Sequence, residues 1–490
     1  MKIVKIPRKS FFKKAYKIFR DKLLEKNPDF NRIRRLCFNS EDLQGLMKSI
    51  GINEYYEISS GTSDRIAFKP YLKQIIDDIK NSRYYREYTT AKGNNSARKA
   101  LAIFESLKLA KNDNYSAENI CLTEGATEAI TMFFEYFKDN YKNQEIIITA
   151  PNYYIYKFSA KYFCLKFKEI LTLNKKNSFV SVDEIISGIS NKTKLIVITN
   201  PSNPSGEVYA KRDLERLFNM AKEKNIFILV DELFSELVFD SKEYTYSDII
   251  ASKLNALNNI IIVKGYSKTK NLAAFRIGYL LSKNEKIINA VARIAEQRRC
   301  FPSASNYAGL ICLDSFIQSL NWLTKIYDYP VTKAIKYLKN EFNAIEIIRE
   351  MKTYYLNNIY ILYQKYLKET LDFYSEMYDK MLEILKKEIE VNIQKKSAFN
   401  TFIKIKDIDN INFFDFTLNL FLTTGVKIEI GPGFGLSQKQ WETDKRLGFW
   451  LRITFARNKR MFIKGLKKFV AFKKLYLKNK DKFLKTNLYF

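Results

Sequence analysis

The chain has 490 residues, of which 46% are apolar and 15% aromatic, a formal net charge of +30, five cysteines and no histidine. The absence of histidine excludes Ser-His-Asp and Cys-His nucleophile pairs and histidine-based zinc sites, so proton transfer must fall to Lys, Tyr, Asp, Glu, Cys or a cofactor. The apolar content excludes a disordered chain and predicts a globular protein with roughly two to four domains' worth of residues.

The positive charge is concentrated at the two ends of the chain. Residues 1–24 carry a net charge of +8 and residues 457–490 carry +11, which together account for 19 of the 30 net charges. Such clusters attract polyanions, but no nucleic-acid-binding motif accompanies them, so we interpret them as solvated helix faces and expect no nucleic-acid partner. We also expect no membrane span and no secretory signal. The scattered cysteines, without CxxC spacing, predict reduced thiols in a cytoplasmic protein and no metal site.

Short, β-branched apolar runs alternate with helical stretches from about residue 117 to 281. This alternation predicts an α/β fold with a mostly parallel, doubly wound sheet, and such sheets bind ligands beyond the carboxyl ends of their strands. The predicted strands lie at 119–123, 145–149, 194–199, 226–230, 259–263 and 276–281.

The alternation of short apolar runs and helical stretches ends at about residue 282. Long helices rich in Lys and Tyr are predicted to about residue 390. They are followed by short strands and a last amphipathic helix, and the strands are predicted at 398–405, 426–430 and 450–455. This pattern indicates a smaller α+β domain.

The first three strands of the predicted sheet lead into residues suited to hold a ligand. Gly125, Ala126 and Thr127 form a small-residue turn whose amides and hydroxyl suit a phosphate. Tyr153 offers a flat face for a planar group, and Asn203 offers an amide within a proline-rich turn. Taken singly, each has an ordinary structural alternative as a helix cap, a core residue or a turn residue.

The next strands end in charged residues. Asp231 directly continues an apolar strand, and burial of its carboxylate is costly without a cationic or hydrogen-bonding partner. Lys264, Lys268 and Lys270 follow at a strand end, where a desolvated lysine can form a Schiff base, and Arg276 can bind a phosphate as a fork. Solvated loop charges are the alternative for any one of them. Together, the strand ends offer one partner for each functional group of pyridoxal phosphate.

The motifs at these positions resemble those of the class I and II aminotransferases, which are pyridoxal-phosphate enzymes of fold type I. The motifs are NPSNPSG at 200–206, DELF at 231–234 and SKTKNLAAFRIG at 267–278, and the resemblance covers about 59–469. It implies an enzyme that exchanges an amino group between an amino acid and a 2-oxo acid through a lysine Schiff base. It also implies a homodimer with shared active sites.

The resemblance assigns a role to each candidate residue. Lys268 forms the Schiff base and moves the proton, Asp231 pairs with the ring nitrogen, Tyr153 stacks on the ring, and Asn203 contacts both the phenolic oxygen and the substrate. The phosphate is assigned to Gly125, Ala126, Thr127, Ser267 and Arg276, with Tyr88 reaching the phosphate of the neighbouring subunit. The substrate α-carboxylate is assigned to Arg452, in a pocket lined by Gly61.

Three features depart from the family pattern. Phe234 stands where a tyrosine commonly donates to the phenolic oxygen of the cofactor, and Gly265 stands where a serine commonly binds the phosphate. The helical stretch at about 318–358 is longer than the family requires. We interpret it as a helical insertion on the surface.

The predicted organisation is a basic N-terminal segment at 1–60 that joins the small domain, a large cofactor domain at 61–305, and a C-terminal α+β domain at 306–490 with the insertion and a basic tail.

The motifs leave two other functions open. One is another pyridoxal-phosphate reaction, such as decarboxylation or C–S lysis, and the other is a non-catalytic binding protein. The identity of the substrate side chain is also open, because Arg298 and Arg299 either bind an acidic group of the substrate or are surface charges.

Overall fold

A seven-stranded sheet and a smaller four-stranded sheet organise the chain in the computed structural model, together with a two-stranded parallel pair. The structure describes residues 4–23, 41–81, 86–110, 113–298, 301–393, 396–408, 411–444 and 446–486. The strands are β1 (Tyr56–Glu57), β2 (Ile120–Glu124), β3 (Glu145–Ala150), β4 (Lys166–Leu171), β5 (Thr193–Thr199), β6 (Phe227–Asp231), β7 (Ile260–Gly265), β8 (Ile277–Leu281), β9 (Ile389–Asn392), β10 (Asn400–Ile405), β11 (Val426–Lys427), β12 (Glu429–Ile430) and β13 (Trp450–Thr454).

Helices cover both sheets. Those of the N-terminal half are α1 (Lys9–Leu23), α2 (Glu41–Ser49), α3 (Lys69–Lys80), α4 (Asn95–Ser106), α5 (Gly125–Asn140), α6 (Ile155–Tyr162), α7 (Val182–Ser187), α8 (Lys211–Glu223) and α9 (Ser247–Lys253). Those of the C-terminal half are α10 (Tyr266–Thr269), α11 (Glu285–Gln297), α12 (Ala308–Ile326), α13 (Val331–Glu341), α14 (Glu346–Glu350), α15 (Thr353–Leu385), α16 (Phe413–Thr424), α17 (Gln438–Thr443) and α18 (Lys459–Lys478). No described helix combines the length and apolar character that a membrane span requires.

The larger sheet has seven strands in the order β2-β8-β7-β6-β5-β3-β4. Only β8 runs antiparallel to its neighbours. Alternate side chains of the buried strands enter cores on opposite faces of the sheet: Ile196 and Ile198 face one core, and Leu195 and Val197 face the other. The predicted α/β fold with a mostly parallel, doubly wound sheet is therefore confirmed.

One strand of this sheet was not predicted from the sequence. β4, with the sequence KFKEIL, lies at the sheet edge beside β3 and is only partly buried. Its alternating lysines and apolar residues reflect exposure to solvent, and this removes the continuous apolar run that marks the buried strands. The six predicted strands lie within one or two residues of β2, β3, β5, β6, β7 and β8.

The smaller sheet has four antiparallel strands in the order β12-β13-β10-β9. Its core includes Phe11 and Phe12 of α1 together with Phe421 of α16 and Phe472 of α18. The N-terminal and C-terminal helices therefore share one apolar core. The division into 1–60, 61–305 and 306–490 stays a prediction.

The stretch at 318–358 folds into the end of α12, the whole of α13 and α14, and the beginning of α15. Ala334, Ile335 and Leu338 of α13 are buried in the same core cluster as residues of the large sheet. These helices therefore contribute to the core beside the large sheet, although part of the stretch remains exposed, as at Tyr337 and Tyr354.

A glycine at the contact between α18 and β1 provides a test of this packing. A Cβ added to Gly465 would approach Ile58 Cγ2 to 2.7 Å and Tyr56 Cβ to 3.0 Å. Gly465→Ala should therefore lower the free energy of unfolding by about 1–3 kcal/mol, although alanine is the better helix former.

The matched control is Gly45→Ala in α2, because no heavy atom lies within 4 Å of the Cβ that it adds. It should be neutral or stabilise the protein by up to about 1 kcal/mol. Urea unfolding followed by circular dichroism measures both variants, and equal shifts in the two midpoints would contradict the packing.

Candidate active site

A cavity of 310 Å³ lies at the carboxyl ends of the parallel strands. It brings together ten of the twelve residues that were predicted from the sequence to form the site: Gly61, Ala126, Thr127, Tyr153, Asn203, Asp231, Ser267, Lys268, Arg276 and Arg452. Gly125 is the first residue of α5, next to Ala126 in the chain, and is not part of the lining. Tyr88 lies outside this cavity and lines a separate cleft of the same chain.

The lysines on and after β7 differ sharply in their partners. Lys264 forms ion pairs with Glu105 at 2.8 Å and Glu232 at 3.5 Å, and Lys270 pairs with Asp314 at 2.9 Å and with Glu236. These carboxylates raise the pKa of both lysines. Lys264 and Lys270 are therefore structural cations.

Lys268 is the exception among these lysines. Its Nζ donates to the Gly61 carbonyl at 2.5 Å, and no ion pair joins it to a carboxylate of the described residues. Burial and the positive charges of Arg452 and Arg276 lower the pKa of Lys268 to about 8, while Asp231 opposes this shift. An amine with this pKa is partly neutral near pH 7, as a Schiff-base nucleophile must be.

The carboxylate of Asp231 ends β6 inside the pocket. Tyr156 donates to its Oδ2 at 2.6 Å, and the Leu233 amide donates to Oδ1 at 3.0 Å. Burial raises the pKa of Asp231, and the two hydrogen bonds and the charge of Lys268 oppose the rise. A buried carboxylate held in this way suits a cationic ligand group.

Tyr156 was not singled out as a functional residue from the sequence. It lies in the segment 150–156 after β3, where several tyrosines follow one another, and its hydroxyl also lies 3.2 Å from Thr199 Oγ1. Thr199 in turn donates to Asn152 Oδ1 at 2.6 Å. This network holds the Asp231 carboxylate, and sequence spacing could not reveal it because it depends on how α6 packs against β5 and β6.

The turn at the start of α5 is in close contact with the backbone of β8. A Cβ on Gly278 would lie 2.4 Å from the carbonyl carbon of Gly125 and 2.6 Å from the Ala126 amide nitrogen, so β8 passes directly against this turn. Gly125 has φ +72°, and Arg276 adopts a left-handed φ of 53° from which its Nη2 donates to the Glu124 carbonyl at 3.0 Å. The arrangement places an arginine beside the amides at a helix N-terminus.

Gly265 and Phe234 are the two residues that depart from the family pattern, and the structure shows what surrounds each of them. A Cβ at Gly265 would lie 2.9 Å from the Ile277 carbonyl oxygen, so β8 leaves no room there for a serine side chain. Phe234 is buried and packs edge-on against Phe399 with ring centroids 5.5 Å apart. It lines the cavity without offering a hydroxyl.

Arg452 is the second arginine of the cavity lining, after Arg276. Its Nη1 donates to Asn203 Oδ1 at 2.8 Å, and its Nε and Nη2 donate to the Ser59 carbonyl at 3.1 and 2.6 Å. An added Cβ on Gly61 would stand 3.6 Å from Arg452 Nη2 and 3.8 Å from Lys268 Nζ. Gly61 therefore lies beside both of these cations at the cavity wall, and a side chain there would contact both.

The remaining predicted arginines lie elsewhere. Arg298 pairs with Glu135 and does not line the cavity, while Arg299 lies outside the described residues. The pocket instead contains a carboxylate that was not predicted, Glu429, which forms an ion pair with Arg452. Its position opposite Arg452 follows from strand register, so only the pairing of β12 with β13 reveals it.

The sequence model for aminotransferase class I and II matches residues 51–406 of the chain. The chain belongs to this family. Among its relatives are the aspartate aminotransferase of Sulfolobus acidocaldarius, 28% identical over 257 residues, and that of a Bacillus species, 27% identical over 296 residues. These matches cover 50% and 59% of this chain, and 61% and 73% of the relatives. The chain thus spans less than two thirds of the first relative.

Solved aminotransferase structures share the fold. A double mutant of Thermus thermophilus aspartate aminotransferase superposes with a TM-score of 0.67 at 18% identity, over 92% of this chain and 98% of that one. The N-succinyldiaminopimelate aminotransferase of Mycobacterium tuberculosis gives a TM-score of 0.67 at 16% identity, over 89% and 99%. The aminotransferase fold therefore extends over most of the chain.

The partners of the three lysines predict different chemical reactivity. In the protein without added cofactor, reductive methylation of Lys268 should rise with pH through about 8, because the neutral amine is the reactive form. Lys264 and Lys270 should stay unlabelled, since their carboxylate partners keep them charged. Peptide mass spectrometry across a pH series measures each site, and a Lys268 midpoint near that of exposed lysines, about 10.4, would contradict this assignment.

Proposed function

We propose that the chain is a pyridoxal-phosphate-dependent aminotransferase that exchanges an amino group between an amino acid and a 2-oxo acid. The observation that carries this proposal is the pairing pattern of Lys268. Of the three lysines on and after β7, it is the one whose amine faces the cavity with a lowered pKa and a carbonyl, not a carboxylate, as its partner. The family membership of the chain supports the same function.

The residues of the cavity fit the proposed cofactor. Lys268 would hold its aldehyde carbon, Asp231 its ring nitrogen and Asn203 its phenolic oxygen, with Tyr153 against the ring. The phosphate would lie at the turn formed by Gly125, Ala126 and Thr127, with Ser267 and Arg276 beside it. The fit rests on the glycine-built turn at the start of α5, which places the Arg276 guanidinium beside the helix amides, and on the buried carboxylate of Asp231.

When bound, pyridoxal phosphate supplies an electron-withdrawing ring that stabilises negative charge at the substrate α-carbon. The protein's part is to orient the substrate and move one proton. Arg452, held by Ser59 and Asn203, would bind the α-carboxylate, and Gly61 leaves the room for it. Lys268, whose pKa of about 8 permits both gain and loss of a proton near neutral pH, would carry the proton at its Nζ.

We also propose a cytoplasmic homodimer with shared active sites. Tyr88 supports the dimer because it is 91% exposed and lies outside the cavity of its own chain, as a residue that serves a neighbouring subunit would. The three cysteines that the structure describes, Cys121, Cys164 and Cys312, are all unpaired, which supports a reducing compartment. Two further cysteines, Cys37 and Cys300, lie outside the described residues.

Removal of the lysine amine tests the proposed function directly. Purified with pyridoxal phosphate, the protein should show a visible absorption band that disappears when an amino acid is added, with release of the matching 2-oxo acid. Lys268→Ala should lose both the band and the activity, by about 10⁴-fold or more, since no other uncommitted amine faces the cavity among the described residues.

The control is Lys175→Ala, which removes an exposed lysine from a loop and should leave both signals unchanged. Retention of the band in Lys268→Ala would contradict the role of Lys268. Release of carbon dioxide or ammonia without a pyridoxamine form would contradict transamination and favour the lyase and decarboxylase alternatives.

The hydrogen bond from Tyr156 to Asp231 gives a second test. Tyr156→Phe removes a donor to a buried carboxylate, which should raise the pKa of Asp231 and weaken its hold on a cationic ring nitrogen. We expect the dissociation constant of pyridoxal phosphate to rise about tenfold, measured by fluorescence titration of the protein freed of cofactor. An unchanged constant would show that Tyr156 does not support Asp231.

A further inference from the structure

The loop at 59–66 and the segment at 266–272 meet at the cavity. Lys268 Nζ donates to the Gly61 carbonyl at 2.5 Å, and both residues line the cavity wall. Both stretches lie outside the strands of the two sheets. The position of the amine relative to the carbonyl therefore depends on contacts that these stretches make with other elements.

One tyrosine hydroxyl on α15 bonds to both stretches. Tyr366 Oη accepts from Asn271 Nδ2 at 2.9 Å and donates to the Ile66 carbonyl at 3.0 Å. A hydroxyl has one donor hydrogen and two acceptor lone pairs, so both bonds can form at once. Asn271 follows Lys268 by three residues, and Ile66 follows Gly61 by five. The hydroxyl thus bridges the two stretches that carry the amine and the carbonyl.

Two further residues of α15 bond to the loop. Thr370 Oγ1 accepts from Arg65 Nη2 at 3.3 Å, and Tyr374 Oη lies 3.2 Å from Ser63 Oγ. Tyr366, Thr370 and Tyr374 are spaced four residues apart and therefore project from one face of the helix. Of these three described residues, Tyr366 is the one that also bonds to the segment of Lys268.

The two bridged stretches are anchored to different parts of the protein. Lys270, beside Asn271, pairs with Asp314 of α12 at 2.9 Å. The loop is bound to the region after β13, since Arg457 Nη1 and the Asn458 amide each donate to Asp64 at 2.8 Å. The Tyr366 bridge therefore connects a loop held beside the smaller sheet to a lysine segment held beside α12.

We propose that Tyr366 is a positioning residue that holds the Gly61 carbonyl against the Lys268 amine. Burial is the main cause of the lowered pKa of Lys268, and the contact with Gly61 contributes to that burial. A loop released from the bridge would admit water to the amine. This inference rests on the proposed function in taking Lys268 as the reacting amine.

Tyr366→Phe tests the bridge, because it removes the hydroxyl and keeps the ring, which packs against Phe68 with ring centroids 5.4 Å apart. In the protein freed of cofactor, the midpoint of Lys268 reductive methylation should rise from about 8 by about half a pH unit, since water stabilises the charged amine. Hydrogen exchange followed by mass spectrometry should also show faster exchange in peptides covering 59–66.

The variant leaves the ionisable side chains around the amine in place. The ones that line the cavity with Lys268 are Tyr153, Tyr154, Asp231, Arg276, Glu429 and Arg452. A shift of the midpoint therefore reports on the position of the loop and not on a removed charge.

Tyr360→Phe is the matched control, because it makes the same change on the same helix. The Tyr360 hydroxyl lies 2.6 Å from Thr324 Oγ1 of α12, and no hydrogen bond joins it to either bridged stretch among the residues that the structure describes. It should leave the methylation midpoint and the exchange of 59–66 unchanged.

An unchanged midpoint in Tyr366→Phe would overturn the proposal, even if the loop exchanged faster, and so would an equal shift in Tyr360→Phe. Failure of the proposed function gives a different result. In that case the wild type shows neither the visible band nor the 2-oxo acid, while the midpoints of the cofactor-free protein still report whether Tyr366 positions the amine.

Discussion

The proposed chemistry depends on one lysine, Lys268, which forms no ion pair with a carboxylate among the residues that the structure describes. Few of the described lysines are buried, and two of them, the neighbours Lys264 and Lys270, are stabilised by carboxylates. Lys268 lies between them in sequence but points into the cavity, where its amine meets a carbonyl and the repulsion of two arginines. This arrangement costs stability and produces a reactive amine, which is why we place the chemistry there.

The backbone around that lysine is fixed by close contacts between strands. Gly278 touches the turn of Gly125, and Gly265 touches the Ile277 carbonyl, so β7, β8 and the start of α5 approach more closely than side chains permit. The family serine that Gly265 replaces has no room here, which gives a steric reason for the substitution. A chain without histidine can carry out the proposed reaction, since Lys268 would move the proton and the proposed cofactor would stabilise the charge.

The sequence predicted the sheet and most of the cavity, because buried parallel strands leave continuous apolar runs and their ends carry the motifs. Asp231, Asn203 and Lys268 each follow such a run and meet in one cavity. Edge strand β4 was not predicted because its sequence alternates charged and apolar residues. Tyr156 was not predicted because its contact depends on how α6 packs against β5 and β6, and Glu429 was not predicted because its contact depends on the register of β12 and β13. Sequence spacing within one element carries no information on either arrangement.

The most direct test of the account is the site of attachment of the cofactor. Borohydride reduction of the protein with bound pyridoxal phosphate, followed by peptide mass spectrometry, should place the pyridoxyl group on Lys268 alone. Incubation with an amino acid before reduction should abolish the label, because the amine is then released. A label on another lysine, or one that an amino acid does not remove, would contradict the central role of Lys268.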